Sequence, residues 1–349
     1  MQFGKLKTGV VIVNLGTPDS PNVPDVRKYL REFLMDGRVI DIPAVARWLL
    51  VNLIIAPFRA PKSSKTYKKL WQDRGSPLKF YGTDIEAMLQ ERLGEDYEVK
   101  LAMRYQNPSL IGVLEHFRVS GVGKLIIVPL FPQYASATTG SIYEQAMQVI
   151  SNWQVIPEVQ FSNQFYDHPM FLKHFVEASK KYLQKEKFDH LLFSYHGIPA
   201  RHIRKGDYTG YTCKFGSCCD QIGPNNHLCY RAQCFATSRA LAKAMNLKEG
   251  EFSTAFQSRL GKDPWLEPYT EDVVQSFPKE GMKKLLVFSG AFIADCLETT
   301  IEIGEEYYEL FMHNGGERFQ LVESFNNSPT FVDLLEDIVL KKVNTELNN

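Results

Sequence analysis

The 349-residue chain contains no apolar run of the roughly 20 residues that a bilayer-spanning helix requires. Its N-terminal run, Val10 to Gly16, is too short for a secretory core and has no small-residue cleavage site after it. The other long apolar patch, Trp48 to Pro57, is interrupted by Asn52. The sequence therefore predicts a soluble, cytoplasmic chain that does not cross a membrane. Net charge is also missing, since 40 Lys and Arg balance 40 Asp and Glu. That balance argues against a nucleic-acid partner drawn in by phosphate charge. No G-x-G-x-x-G follows the first apolar run, and no G-x-x-x-x-G-K-[ST] occurs. The turn Asn14-Leu-Gly-Thr-Pro18 would cradle a phosphate poorly, so nucleotide chemistry is disfavoured. A G-x-S-x-G nucleophile elbow is absent as well. With only six cysteines, a disulfide scaffold is excluded.

What is present is 44% apolar residue content, enough for sizeable cores, in a length that suits two domains. Four β-branched-rich runs stand out: Gly9–Leu15, Lys124–Leu130, His190–Tyr195 and Lys284–Ser289. Continuous apolar runs of this length, separated by helix-period stretches, read as buried parallel strands of βαβ units. The expected fold is α/β, with two Rossmann-like doubly wound lobes whose parallel sheets face a cleft. The boundaries read as an N-terminal lobe over 1–160 with an apolar lip near 46–60, and a C-terminal lobe over 161–330. The second lobe carries a cysteine-rich insertion near 206–234, and 331–349 forms a closing helix and tail. Pro157-Glu-Val-Gln160 reads as the opening of the second set. Ligands of such sheets sit beyond the carboxyl ends of the strands, which directs attention to the segments after each run.

Four constellations could carry chemistry. Asp295, Glu298, Glu302 and Glu306 lie in a stretch without Lys or Arg, and the three glutamates are spaced to share a helix face. Like charges at that spacing repel, so the stack suits a visiting cation, although a solvated helix face reads equally well. His196 ends the run Leu191-Leu-Phe-Ser-Tyr-His, where it could be a metal ligand, a general base or a structural residue. Five cysteines, Cys213, Cys218, Cys219, Cys229 and Cys234, crowd into one segment. Their wide spacing, without a C-x2-C knuckle, suits a two-iron cluster better than zinc, and free thiols remain a third reading. Finally, Ala46 to Pro57 is dense in large apolar residues and is followed by Arg59 and Lys62, which suits a core helix or a lip resting on lipid.

These residues, taken with Val13-Asn-Leu-Gly-Thr-Pro18, Phe33-Leu-Met-Asp-Gly-Arg38, Gly75-Ser-Pro-Leu78 and Met103-Arg-Tyr105, form a recognisable order. So do Pro129-Leu-Phe-Pro-Gln-Tyr134, Ser194-Tyr-His-Gly-Ile-Pro199, Phe256-Gln-Ser-Arg-Leu-Gly261 and Ala294-Asp-Cys-Leu-Glu-Thr299. The chain resembles the ferrochelatase family, whose members insert ferrous iron into a porphyrin to make haem. The resemblance implies a class II chelatase-like fold and no nucleotide. It implies His196 and Glu298 as catalytic and iron-binding residues, with Asp295, Glu302 and Glu306 as an acidic path for protons or metal, along a partly π-type helix. Leu15, Arg59, Tyr67, Arg104, Phe131, Trp265 and Phe292 fall where the family binds porphyrin, here expected to be protoporphyrin IX. The lip near Trp48 to Pro57 implies peripheral contact with a membrane surface, at the inner face of the cytoplasmic membrane. The cysteine segment resembles that of a bacterial subgroup with an internal [2Fe-2S] cluster, held by four of the five thiols. Cys296 stands where many relatives have histidine, and Phe131 where others have tyrosine. The alternatives are a related chelatase for cobalt, nickel or coproporphyrin, and a non-enzymatic iron–sulfur or haem-handling sensor.

Overall fold

A computed structural model describes residues 6–261 and 263–344. The chain divides into two compact units. The first comprises the chain up to Leu130, Ser136–Asn163 and the segment from Asn326 onward; the second comprises Phe131–Ala135 and Gln164–Phe325.

The first unit holds a four-stranded sheet of β1 (Thr8–Gly16), β2 (Tyr97–Tyr105), β3 (Lys124–Pro129) and β4 (Glu158–Phe161), ordered β2-β1-β3-β4. The second repeats the plan with β5 (His190–His196), β6 (Phe252–Gln257), β7 (Lys284–Ser289) and β8 (Arg318–Leu321), ordered β6-β5-β7-β8. Every neighbouring pair is parallel. In each sheet the chain begins at a central strand, moves outward, then returns across it, which is the doubly wound arrangement with its switch point beside β1 or β5. The repetition extends to the loops: the Met103 amide donates to the Pro108 carbonyl at 2.7 Å, and the Phe256 amide to the Pro268 carbonyl at 2.8 Å. A π-helical segment also follows the third strand of each sheet, at Ser136–Gly140 and at Leu297–Tyr307. No such repeat is visible in the sequence.

The four apolar runs are the central strands β1, β3, β5 and β7. Val10 to Val13 and Leu192, Phe193 and Tyr195 are completely buried because both faces of a central strand are covered. The Pro157 segment does not open the second set. Glu158–Phe161 pairs with β3, Lys124 opposite Glu158, and closes the first sheet. The closing segment, set apart in the sequence at 331, is a helix from Pro329 that packs within the first unit. Arg92 reaches its Asp333 at 2.9 Å and its Glu336 at 3.3 Å. The tail beyond Asn344 lies outside the described residues.

The lip also differs from expectation. Ala44–Leu70 is a continuous helical run of 27 residues, with a most apolar window of mean hydropathy 1.2. By length and composition alone it could cross a bilayer, because the helix continues well past the apolar patch that the sequence displays. Its second half is nonetheless tied to the first unit. Ala56, Ala60, Ser64, Tyr67 and Leu70 are buried, the Ser64 hydroxyl donates to the Pro21 carbonyl at 2.6 Å, and Tyr67 packs edge-on against Tyr29.

Gly16 closes β1 at a φ of 124°, and a Cβ there would lie 2.1 Å from the Tyr105 carbonyl oxygen. Both the backbone conformation and the close approach demand glycine. Gly16→Ala should lower stability by about 2–3 kcal/mol, read as a drop of several degrees in thermal unfolding. A melting point within about 1 °C of the parent would contradict this close approach.

Candidate active site

In a parallel sheet the carboxyl ends of all strands lie at one edge, so the turns after β5, β6 and β7 meet at the switch point of the second unit. His196 is the last residue of β5 and pairs in register with Gln257, the last residue of β6. The next residue, Gly197, donates its amide to the Gln257 carbonyl at 2.8 Å, and a Cβ there would stand 2.7 Å from that oxygen. Strand pairing thus continues past His196 only because residue 197 lacks a side chain.

The ring Nδ1 of His196 lies 2.5 Å from the Gly197 carbonyl. A carbonyl only accepts, so Nδ1 carries the hydrogen, and Nε2 is the nitrogen free to hold a lone pair or a proton. Among the described residues Nε2 has no hydrogen-bond partner. Trp265 and Phe292 flank the ring, with centroids 6.5 Å and 6.1 Å away. The Trp265 segment is held by the Leu266 amide donating to the Ile198 carbonyl at 3.0 Å. From the far side, the Tyr230 hydroxyl donates to the His196 carbonyl at 2.7 Å.

The acidic run follows β7. Its Leu297–Tyr307 segment is wound as a π-helix rather than an α-helix, a form that concentrates at functional sites. Cys296 caps it: its amide donates to the Thr299 hydroxyl at 2.9 Å. Burial, reinforced by the neighbouring Glu298 carboxylate, pushes the Cys296 thiol well above its ordinary range. Glu298 and Glu302 are half-buried, as is Asp295, whereas Glu306 is exposed. Glu302 is firmly held. Its carboxylate accepts from the Gln257 side-chain amide at 2.9 Å, the Ser258 hydroxyl at 2.6 Å and the Tyr307 hydroxyl at 2.9 Å. Residues five apart diverge on an α-helix; π winding is what lets Tyr307 reach Glu302. Gln257 also donates to the Glu298 carbonyl at 3.0 Å. Sequence reasoning missed Gln257, Ser258 and Tyr307 as site residues, although the first two lie inside a motif quoted above.

Phe131 is half-buried and belongs to this second unit, while Leu15, Arg59, Tyr67 and Arg104 belong to the first. Leu15 sits at the end of β1, Arg59 is exposed and Tyr67 is buried. Arg104 is committed to a buried network. It pairs with Asp36 at 2.7 Å and donates to the Ser141 hydroxyl at 2.7 Å. The Tyr105 and Ser141 hydroxyls also donate to Asp36, at 2.9 Å and 2.5 Å. Burial raises the Asp36 pKa, but the Ser141 hydroxyl, the Arg38 amide, the Tyr105 hydroxyl and Arg104 outweigh it and bring the carboxyl below its ordinary value.

From Cys213 to Cys229 the cysteine segment is a loop broken by a short 3-10 turn at Ser217–Cys219, and Cys234 lies in the Tyr230–Ala244 helix that follows. The Cys218 and Cys219 sulfurs lie 3.9 Å apart. The Lys214 amide donates to Cys218 at 3.3 Å, and the Arg231 guanidinium to Cys219 at 2.9 Å. Burial pushes the Cys219 thiol up to about 12 despite Arg231. Backbone amides also hold Cys218, which titrates lower than usual although burial opposes this. Cys229 caps the Tyr230–Ala244 helix and accepts from the Ala232 and Arg231 amides. Cys234 is wholly buried beside Tyr230. Among the described residues no three His, Cys, Asp or Glu side chains group as a ready metal site.

The ferrochelatase family model matches residues 7–343. Ferrochelatase of Legionella pneumophila (strain Corby) is 40% identical over 338 residues, covering 97% of this chain and 100% of the relative. That of Coxiella burnetii (strain CbuK_Q154) is 40% identical over 337 residues, covering 97% and 94%. Among solved structures, SirB from Bacillus subtilis with Fe3+ aligns at a TM-score of 0.56 and 12% identity, covering 98% of each chain. The same protein from subspecies spizizenii, a sirohydrochlorin chelatase in complex with cobalt, aligns at 0.53 and 12%, again covering 98% of each chain. At that identity the likeness is one of fold.

The Asp36 network predicts a pH signature. A carboxyl whose folded pKa is depressed contributes stability above its unfolded pKa of about 3.9, and loses it as pH falls through the lower folded value. Asp36→Asn should cost about 3 kcal/mol near neutrality by leaving Arg104 unpaired. In denaturant titrations the gap from the parent should narrow below about pH 4. A gap independent of pH would assign the cost to packing instead.

Proposed function

The chain belongs to the ferrochelatase family, and from that membership we propose how its own residues carry the insertion of ferrous iron into protoporphyrin IX. The enzyme is a metal chelatase that makes haem by placing iron in a porphyrin. A free-base porphyrin holds two inner N–H protons in a flat ring that resists a metal from either face. Insertion requires a bent ring, an acceptor for those protons, and iron stripped of water beside the ring.

The observation that carries the residue assignment is the commitment of His196 Nδ1 to a carbonyl, which leaves Nε2 as a base or iron ligand. Trp265 and Phe292 beside it offer apolar faces suited to a macrocycle. Glu298 supplies anionic charge at the same strand end, with Glu302 behind it and Glu306 at the exposed end of the acidic line. Gln257 links the two sides: it pairs with His196 in the sheet and binds the Glu298 carbonyl.

The second part of the reading concerns the five clustered thiols. Soft thiolates suit an iron–sulfur centre; backbone amides bring the Cys218 thiol below its ordinary range, while burial raises those of Cys219 and Cys229 against the amides and Arg231 that face them. Four of Cys213, Cys218, Cys219, Cys229 and Cys234 would hold a [2Fe-2S] cluster. When bound, the cluster supplies a redox-sensitive cross-link; metalation changes no oxidation state, so its role is structural or sensory. A third part concerns location. Val45, Trp48, Leu49, Leu53, Ile54 and Phe58 are exposed on the lip helix, a contiguous apolar face that suits peripheral docking on the inner face of the cytoplasmic membrane.

Anaerobic mixing with ferrous iron and protoporphyrin IX should replace the free-base spectrum by that of haem, far faster than without protein. His196→Ala and Glu298→Gln should each lower that rate by at least about a hundredfold while porphyrin still quenches protein fluorescence. Near-parental turnover in either variant would move the chemistry elsewhere. Anaerobically purified protein should be red-brown, with about two iron and two sulfide per chain, and the double variant Cys213→Ser, Cys229→Ser, left with three of the five thiols, should lose that colour. Stoichiometric zinc in place of iron would refute the cluster.

A further inference from the structure

We infer that Gln257 is a positioning residue for metal entry, its carboxamide fixing Glu302 in place while leaving the carboxylate charge available to iron. The inference rests on the reading of Glu302 as part of the iron route.

Gln257 is only 1% exposed and its carboxamide is fully used. Oε1 accepts from the Ser194 hydroxyl at 2.9 Å, and Nε2 donates to the Glu298 carbonyl at 3.0 Å and the Glu302 carboxylate at 2.9 Å. The reverse orientation would set a carbonyl oxygen against two groups that only accept. Ser194 is in turn 3.0 Å from the Thr270 hydroxyl. With Ser194 donating to Gln257, Thr270 is the donor to Ser194, and a chain of polarised bonds ends on Glu302.

Backbone geometry sharpens the same contact. Successive side chains of a strand point to opposite faces, so Gln257 and Ser258 would ordinarily diverge. Ser258 instead adopts a φ of 66°, in the left-handed region uncommon for residues other than glycine. Its hydroxyl thereby reaches the same Glu302 oxygen as Gln257. Tyr307 takes the other oxygen. All three donors are neutral. A lysine or arginine in their place would hold the carboxylate as well but would cancel its charge and repel an approaching cation. Neutral donors orient without neutralising, as a station on a metal route requires.

The test is steady-state metalation under anaerobic conditions, with ferrous iron and protoporphyrin IX varied separately. Gln257→Met keeps length and burial but cannot donate. It should raise the KM for iron about tenfold, the scale of one lost hydrogen bond to a charged group, with the KM for porphyrin unchanged. Ser258→Ala and Tyr307→Phe should each raise it severalfold, and these carry the test if Gln257→Met fails to fold. Glu302→Gln serves as reference. If it raises the KM for iron and the donor variants do not, Gln257 has no positioning role. If Glu302→Gln itself leaves that KM unchanged, the iron-route reading falls and the inference with it. A loss confined to kcat in the donor variants would likewise overturn the inference.

Discussion

Because β5 runs parallel to β6 on one side and β7 on the other, three chain segments far apart in sequence must leave the sheet at one edge. Parallel hydrogen bonding admits no other outcome, and the remainder of the candidate site follows from it. His196 and Gln257 become neighbours through register, and the segment after β7 brings the glutamates to the same place. The glycine after His196 then decides how closely the strands stay paired there. A bulkier residue at that position would part the strand ends and move the histidine away from the amide that connects it to the acidic helix.

The two units use the same sheet order for different purposes. In the first, the position before the close-approach glycine of β1 is Leu15; in the second, the position before the equivalent glycine of β5 is His196. The polar groups near the first sheet are turned inward on one another, with Asp36 taking Arg104, Tyr105 and Ser141 as partners. Such a saturated network rigidifies and leaves little charge exposed. The second unit instead leaves an imidazole nitrogen without a hydrogen-bond partner among the described residues and holds the Glu302 carboxylate with the neutral donors Gln257, Ser258 and Tyr307. One architecture thus holds a closed polar network in one copy and, on the reading proposed above, the base and the acidic line in the other.

The cysteine segment is attached to this site at both ends, by the Ala200–Gly206 helix that follows His196 and by the Tyr230–Ala244 helix. Cys229 caps the second of these, and the next residue, Tyr230, hydrogen-bonds the carbonyl of His196. Whatever the thiols bind, the order of that loop bears on a residue that orients the histidine strand. This explains structurally why an insertion lying outside the strand-end motifs is not remote from them.

Much of this was legible without a structure, and the reason lies in burial. The central strands β1, β3, β5 and β7 are covered on both faces, so their sequences are unbroken apolar runs. The edge strands β2, β4, β6 and β8 each have one neighbour and carry polar residues, as in Glu158-Val-Gln-Phe161, so no run announces them. For the same reason the segment at Pro157 reads as an opening in the sequence although it closes a sheet. His196 and the glutamate spacing were visible because rare residue types at strand ends and a cation-free acidic stretch are local patterns. Gln257, Ser258 and Tyr307 were not, since a glutamine ending an edge strand and the serine after it become significant only once register and a positive φ direct both to Glu302. Likewise the reach of Tyr307 depends on π winding, and the repeat of the two sheets on strand order. Local composition determined which segments are buried and which carry charge; pairing across the sheet, which no local pattern encodes, decided which of them meet.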